Sequence, residues 1–168
     1  TKYISGHGSV IGGVLVDVGT FDWAASGRFP RLTEPYVPYG GLVFADHYGP
    51  AAFAALARAE GVRDFGAAMA AEVAYRLLEG LESLAVRMER HSASARRVAE
   101  YLQSAPGVAS VSYPGLESHP DHDLATKLMP RGQGGIVAFV LEGGRQAGRE
   151  LIESLRVFSH LANVGDSR

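Results

Sequence analysis

Residues 1–17 read TKYISGHGSVIGGVLVD. A lysine stands second, hydroxyls stand at Thr1 and Ser5, and Gly6 and Gly8 flank His7. A lysine beside a glycine turn is in most proteins a solvated surface charge. The neighbours here permit something more. A lysine amine is nucleophilic only when neutral, and burial beside polar or cationic groups favours that form. Hydroxyls, together with main-chain N–H groups uncovered by glycine, can cradle a phosphate. The next residues, Gly12–Val18, form a short β-branched run bounded by glycines, which predicts a buried strand.

Composition narrows the class of molecule around that stretch. The 168 residues allow one ordinary domain or two small ones and are enough to bury a core. The chain is 46% hydrophobic and 20% charged, a globular balance. A formal net charge of -2 provides no basic field for nucleic acid or anionic lipid. Cysteine is absent, which excludes disulfides and thiolate metal sites and fits a reducing compartment. No apolar run is long enough to span a bilayer as a helix. A cytoplasmic protein is expected. The opening without methionine and the GDSR ending suggest a piece of a longer polypeptide or a processed product.

Downstream of the predicted strand, residues 20–50 are interrupted by prolines 30, 35, 38 and 50 and by glycines 27, 40, 41 and 49. A long excursion with little regular structure is expected there. Its aromatics, Phe21, Trp23, Phe29, Tyr36, Tyr39, Phe44 and Tyr48, require that it pack on something. Residues 51–104 have a helical pattern. Leu77, Leu78, Leu81, Leu84, Ala85 and Met88 form one apolar stripe, continued by Val98, Ala99 and Leu102. Ala95 is small enough for a close contact, and Glu89, Arg90, Arg96, Arg97 and Glu100 dress a solvated face. Pro106 and Gly107 stop the helix. The remainder alternates. VASVSYPG reads as strand and turn, PDHDLATKLM as a short helix, GGIVAFVLEGG as a strand, RQAGRELIESL as a helix and VFSHLANVG as a last strand. This βαβαβ order predicts a small α/β layer. The boundary is placed within the helical run, dividing the chain into residues 1–90 and 91–168.

Four separated segments together carry a resemblance: TKYISGHGSVIGGVLVD, LLEGLESLAVRMERH, VSYPGLESHPDH and FSHLANVGD. The sequence resembles the Cys/Met-metabolism enzymes that use pyridoxal 5′-phosphate (PLP), the trans-sulfuration family of the fold-type I, aminotransferase-like class. The long excursion after the strand is most similar to the sulfhydrylase branch. The resemblance implies an α/β fold in which residues 1–90 are the C-terminal part of the PLP-binding large domain. Residues 91–168 are then most of the small domain. Lys2 matches the lysine whose amine condenses with the PLP aldehyde, and is the expected catalytic and cofactor-binding residue. Thr1 matches a hydroxyl on the cofactor phosphate. His7 falls in a Gly-His step that packs beneath the lysine loop. Asn163 falls near the cofactor and the substrate carboxylate, where many relatives carry serine and the sulfhydrylase branch carries asparagine.

The implied reaction is a γ-replacement in which sulfide, or methanethiol, displaces acetate from O-acetylhomoserine to give homocysteine or methionine. Cystathionine γ-synthase and methionine γ-lyase chemistry are the alternatives within the family, and a catalytically silent oligomerisation module is the alternative outside it. The family pattern also implies an amino-acid substrate and a homo-oligomer, dimer or tetramer. The groups that pair with the pyridine nitrogen, stack on the ring and grip the substrate carboxylate fall outside this chain. One departure stands out: Ala70, Ala71, Glu72 and Val73 occupy the place of a family Ser-Pro-x-Asn/Asp helix start. The helix is therefore expected to run back through Met69. SHPDHD places His119 and His122 three apart, but no third convergent ligand is evident, so no metal is expected.

Overall fold

The computed structural model describes residues 1–166; Ser167 and Arg168 lie outside the described residues. The chain forms two compact units, Thr1–Ile11 with Tyr75–Arg168, and Gly12–Ala74.

The first unit is built on α7, Leu84–Ser104. It ends where Pro106 forces the preceding residue out of the helical region, and Ala105 is extended (φ -73°, ψ 132°). The chain turns into β1 (Val108–Ser112), passes through α8 (His122–Leu128), returns as β2 (Ala138–Leu141) and closes with α9 (Gly144–Ser154). The two strands pair antiparallel, Ser112 opposite Ala138 and Val108 opposite Leu141, with an irregularity between Val108 and Ser110. The core lies where α7 meets the turn after β1. Ala95 and Ala99 are buried with Tyr113 and Leu116, and Val111 and Val137 pack against them. Ala95 thus occupies the close contact its size suggested. Two alanines on one helix face leave room for a tyrosine ring at helix-to-loop distance. The single proton of the Tyr113 hydroxyl is shared between the carbonyls of Gly134 (3.0 Å) and Ser92 (3.3 Å).

The second unit contains the excursion. It is more regular than its prolines and glycines suggest. α2 (Trp23–Ser26) starts at Asp22, whose carboxylate accepts from Ala25 N at 2.9 Å. α3 (Pro30–Thr33) starts at a proline, pre-set for a first helical position. α4 (Phe44–Tyr48) and α5 (Ala52–Ala57) follow, and α5 runs into a wider π-turn at Arg58–Asp64. Leu32, Phe44 and Ala52 form a small core ringed by Trp23, Phe29, Tyr36, Tyr39 and Phe53. The aromatics therefore pack largely on one another, Trp23 edge-on to Phe29 at 5.1 Å and Phe44 edge-on to Tyr36 at 5.9 Å.

Four expectations are corrected. Residues 12–18 form no strand, and Val14, Val16 and Val18 are exposed. A strand needs a neighbour for its N–H and C=O groups, and the two strands among the described residues already pair with each other. Residues 157–165 likewise form no strand. The small layer is therefore β-α-β-α with an antiparallel pair. The helical run is also broken. The helix expected to reach back through Met69 begins at Ala71, as α6 (Ala71–Glu82), and α7 starts afresh after Ser83.

Candidate active site

Lys2 opens α1 (Lys2–Ser5), a single helical turn. Gly6 closes the turn in the left-handed region (φ 69°) and its N–H returns to Lys2 O at 3.0 Å, a cap that a residue with a Cβ adopts only under strain. Thr1 stands at the N-cap, yet its hydroxyl makes no capping bond. The turn sits against α6: a Cβ on Gly80 would lie 2.4 Å from the carbonyl oxygens of Ile4 and Ser5. Gly80 is thus a helix-interior glycine kept for a close backbone approach.

Tyr3 anchors the turn on its other flank. Its ring lies edge-on to His91 at 5.5 Å, and a Cβ on Gly165 would fall 2.2 Å from Tyr3 Cδ1. Burial pushes the Tyr3 phenol above the usual tyrosine range, more than a main-chain interaction at Gly135 pulls it down.

The segment Ala162–Asp166 closes over the same place. Lys2 Nζ donates to Ala162 O at 3.1 Å. Asn163 Nδ2 donates to the Asp166 carboxylate, and Asp166 Oδ2 lies 3.1 Å from where a Cβ on Gly8 would stand. Asn163, far in sequence from the adjacent Thr1 and Lys2, therefore belongs to their neighbourhood, with Lys2 and Asn163 exposed. Among the described residues no carboxylate lies in ion-pair range of the Lys2 amine.

The model of the family described as Cys/Met metabolism PLP-dependent enzyme matches residues 1–168. The chain belongs to this family. Homocysteine synthase of Schizosaccharomyces pombe is 46% identical over 169 residues, which take in 100% of this chain and 39% of the relative. O-acetyl-L-homoserine sulfhydrylase 1 of Thermus thermophilus is 45% identical over 168 residues, 100% of this chain and 40% of that protein. Among solved structures, a Campylobacter jejuni chain assigned as an O-acetylhomoserine (thiol)-lyase matches with a TM-score of 0.75 at 32% identity. It covers 99% of this chain and 42% of its own, and it carries a pyridoxyl-lysine phosphate. The chain thus spans about two fifths of the length of the curated relatives it matches. Its fold class is the α/β, aminotransferase-like class of these PLP enzymes.

The residues present suit the family's cofactor. The Lys2 amine is held by a main-chain carbonyl rather than a carboxylate, and the Thr1 hydroxyl is not spent on its own helix. An aldehyde and a phosphate are what such an amine and such a hydroxyl can take. The histidines of SHPDHD have local uses instead. His119 Nδ1 accepts from Asp121 N at 3.1 Å, and His122 Nδ1 lies 3.0 Å from Pro114 O.

Sequence reasoning assigned no role to Gly80, Tyr3, Arg87 or Asp166. For Gly80 a signal existed, since an isolated glycine within LLEGLE costs helix stability and calls for a packing reason. The other three are ordinary residues of their elements, and only long-range contacts mark them out.

Proposed function

We propose that this chain supplies the lysine-bearing part of a PLP-dependent γ-replacement enzyme. Its reaction is O-acetylhomoserine plus sulfide or methanethiol, giving homocysteine or methionine plus acetate. The observation that carries the reading is the Lys2 amine at 3.1 Å from Ala162 O, beside Asn163. A reactive amine and a candidate carboxylate-binding amide would then serve one bound amino acid. Residues 1–90 are taken as the C-terminal part of the PLP-binding domain and 91–168 as the small domain, the junction lying inside α7. The enzyme is read as a cytoplasmic homo-oligomer, dimer or tetramer.

PLP, when bound, supplies the electron sink that the replacement of a γ-substituent requires. Lys2 binds it through Nζ, and the flexible four-carbon stem lets the same nitrogen move a proton at the substrate's Cα and Cβ. A positioned proton carrier is typically worth ~10²–10⁴-fold. Thr1 Oγ1 orients the phosphate, and the Asn163 amide orients the substrate carboxylate.

In the complete protein loaded with PLP, Lys2→Ala is expected to abolish turnover. Borohydride treatment of the wild type should leave a pyridoxyl group on Lys2 in the peptide mass spectrum. An unmodified Lys2 with PLP bound would sink this reading and favour a silent oligomerisation module. Competing sulfide, cysteine and water on O-acetylhomoserine identifies the acceptor. A preference for cysteine would move the assignment to cystathionine synthesis.

A further inference from the structure

A one-turn helix cannot satisfy its own carbonyls. In α1, Thr1 O and Lys2 O receive Ser5 N (2.9 Å) and Gly6 N (3.0 Å), which leaves the carbonyls of Tyr3, Ile4 and Ser5. Side chains meet all three. His7 Nδ1 lies 2.6 Å from Ser5 O and so must carry its proton there to donate. The Arg87 guanidinium donates to Tyr3 O at 2.7 Å and to Ile4 O at 3.4 Å. Arg87 is itself fixed at the joint between α6 and α7, with Nη2 donating to Gly80 O (2.7 Å) and Nε to Ser83 Oγ (3.0 Å). The fit is tight, since a Cβ on Gly6 would stand 2.5 Å from the guanidinium carbon.

We propose that Arg87 is a positioning residue for Lys2. Resting on the reading of Lys2 as the cofactor-bearing lysine, the inference adds a clamp to it. Arg87 spans the lysine turn and the α6–α7 joint, so the direction in which the Lys2 stem leaves α1 is set by a residue 85 positions away. The role needs a planar fork, because the donated bonds run in separate directions from one side chain. An ammonium at the same place retains the charge and loses the fork. A clamp matters because reactive groups misplaced by about 1 Å lose on the order of 10²-fold in rate.

The test uses the complete, PLP-loaded protein and compares Arg87→Lys and Arg87→Met with wild type. Arg96→Ala, an exposed position on the same helix, is the control. Borohydride trapping and peptide mass spectrometry give the fraction of Lys2 joined to PLP at limiting cofactor. Visible absorption against pH gives the protonation midpoint of the Lys2–cofactor bond. Both Arg87 variants are expected to lower the trapped fraction and shift the midpoint, with kcat falling roughly 10–10²-fold and KM changing less. Arg96→Ala should match wild type. Variants that only melt earlier, with trapped fraction and midpoint unmoved, would reduce Arg87 to fold support and overturn the clamp. Full rescue by Arg87→Lys would overturn it too, by showing that charge suffices.

Should the Arg87 variants fail to fold, Ser83→Ala loosens Arg87 at one anchor. Faster hydrogen exchange at the Ser5 and Gly6 amides supports the clamp, and unchanged exchange overturns it. A wild type with no Lys2 adduct defeats the cofactor reading and the clamp together. An adduct in wild type with an unmoved Arg87→Lys defeats the clamp alone.

Discussion

Tyr113 concentrates the polar chemistry of the first unit's core. Its ring is fully buried and its one hydroxyl proton is shared between two carbonyl oxygens, the nearer of Gly134 and the farther of Ser92. Burial pushes the phenol's pKa up, more than the charge of Arg96 pulls it down. The fold therefore favours the neutral phenol, and a phenolate there would face two carbonyls. The unfolded chain ionises this tyrosine at a lower pH than the folded chain does. The contribution is thus whole at neutral pH and is lost as pH rises from the unfolded value through the raised folded one. Tyr113→Phe should cost about 1 kcal/mol at neutral pH, the net worth of a hydrogen bond. Denaturant titrations across the alkaline range should then show a shallower loss of stability than in wild type. An unchanged alkaline slope would remove Tyr113 from the account. The sequence places this tyrosine at a strand-to-turn junction and Tyr101 on a helix, but does not mark which of the two is buried.

Among the elements, α7 was the most legible and α6 the least. The solvated face of α7 is as its charges implied, with Arg96 Nε paired to Glu100 Oε1 at 2.9 Å and both side chains about half exposed. Such a pair is worth roughly 0.3–0.5 kcal/mol. The buried face is a different matter, since Ala99 has no exposure and abuts Tyr113. Ala99→Leu should cost about 1–3 kcal/mol by overpacking, while Arg96→Ala stays within a few tenths. Thermal and denaturant unfolding of the two variants provides the comparison, and an equal cost for both would argue against the helix orientation described. The start of α6 was misjudged because Ala70 and Ala71 carry no cap signal, and alanine suits a helix interior as well as its first turn.

In the molecule as a whole, the apolar surface is unusual. Ile11 is 91% exposed, Val14 80% and Val18 79%, and Leu78 on the predicted stripe of α6 is 62% exposed. Large apolar side chains exposed to this degree are the material of interaction faces. The 168-residue chain expressed alone should therefore bind the dye ANS and self-associate on sizing columns. A monodisperse, dye-negative product would contradict this reading of the surface. No helix among the described residues is long and apolar enough to cross a membrane, so the exposed segments are not explained by a helical span.

The chain's own order of residues was enough to give the helices with strong periodicity, the two paired strands and the family. Each of these is written in local spacing or in motifs short enough to read along the chain. The buried strand at 12–18 and the last strand were misread because a β-branched run specifies only a tendency to extend. Pairing is a property of the neighbour that supplies the hydrogen bonds. Arg87 was invisible for a related reason, and the glycine signal at Gly80 did not say what would pack there. The Arg87 bonds to Tyr3 O and Ile4 O, 84 and 83 residues away, and the close approach of Gly80 to the carbonyls of Ile4 and Ser5 exist only once α1 lies against α6 and the joint of α6 and α7.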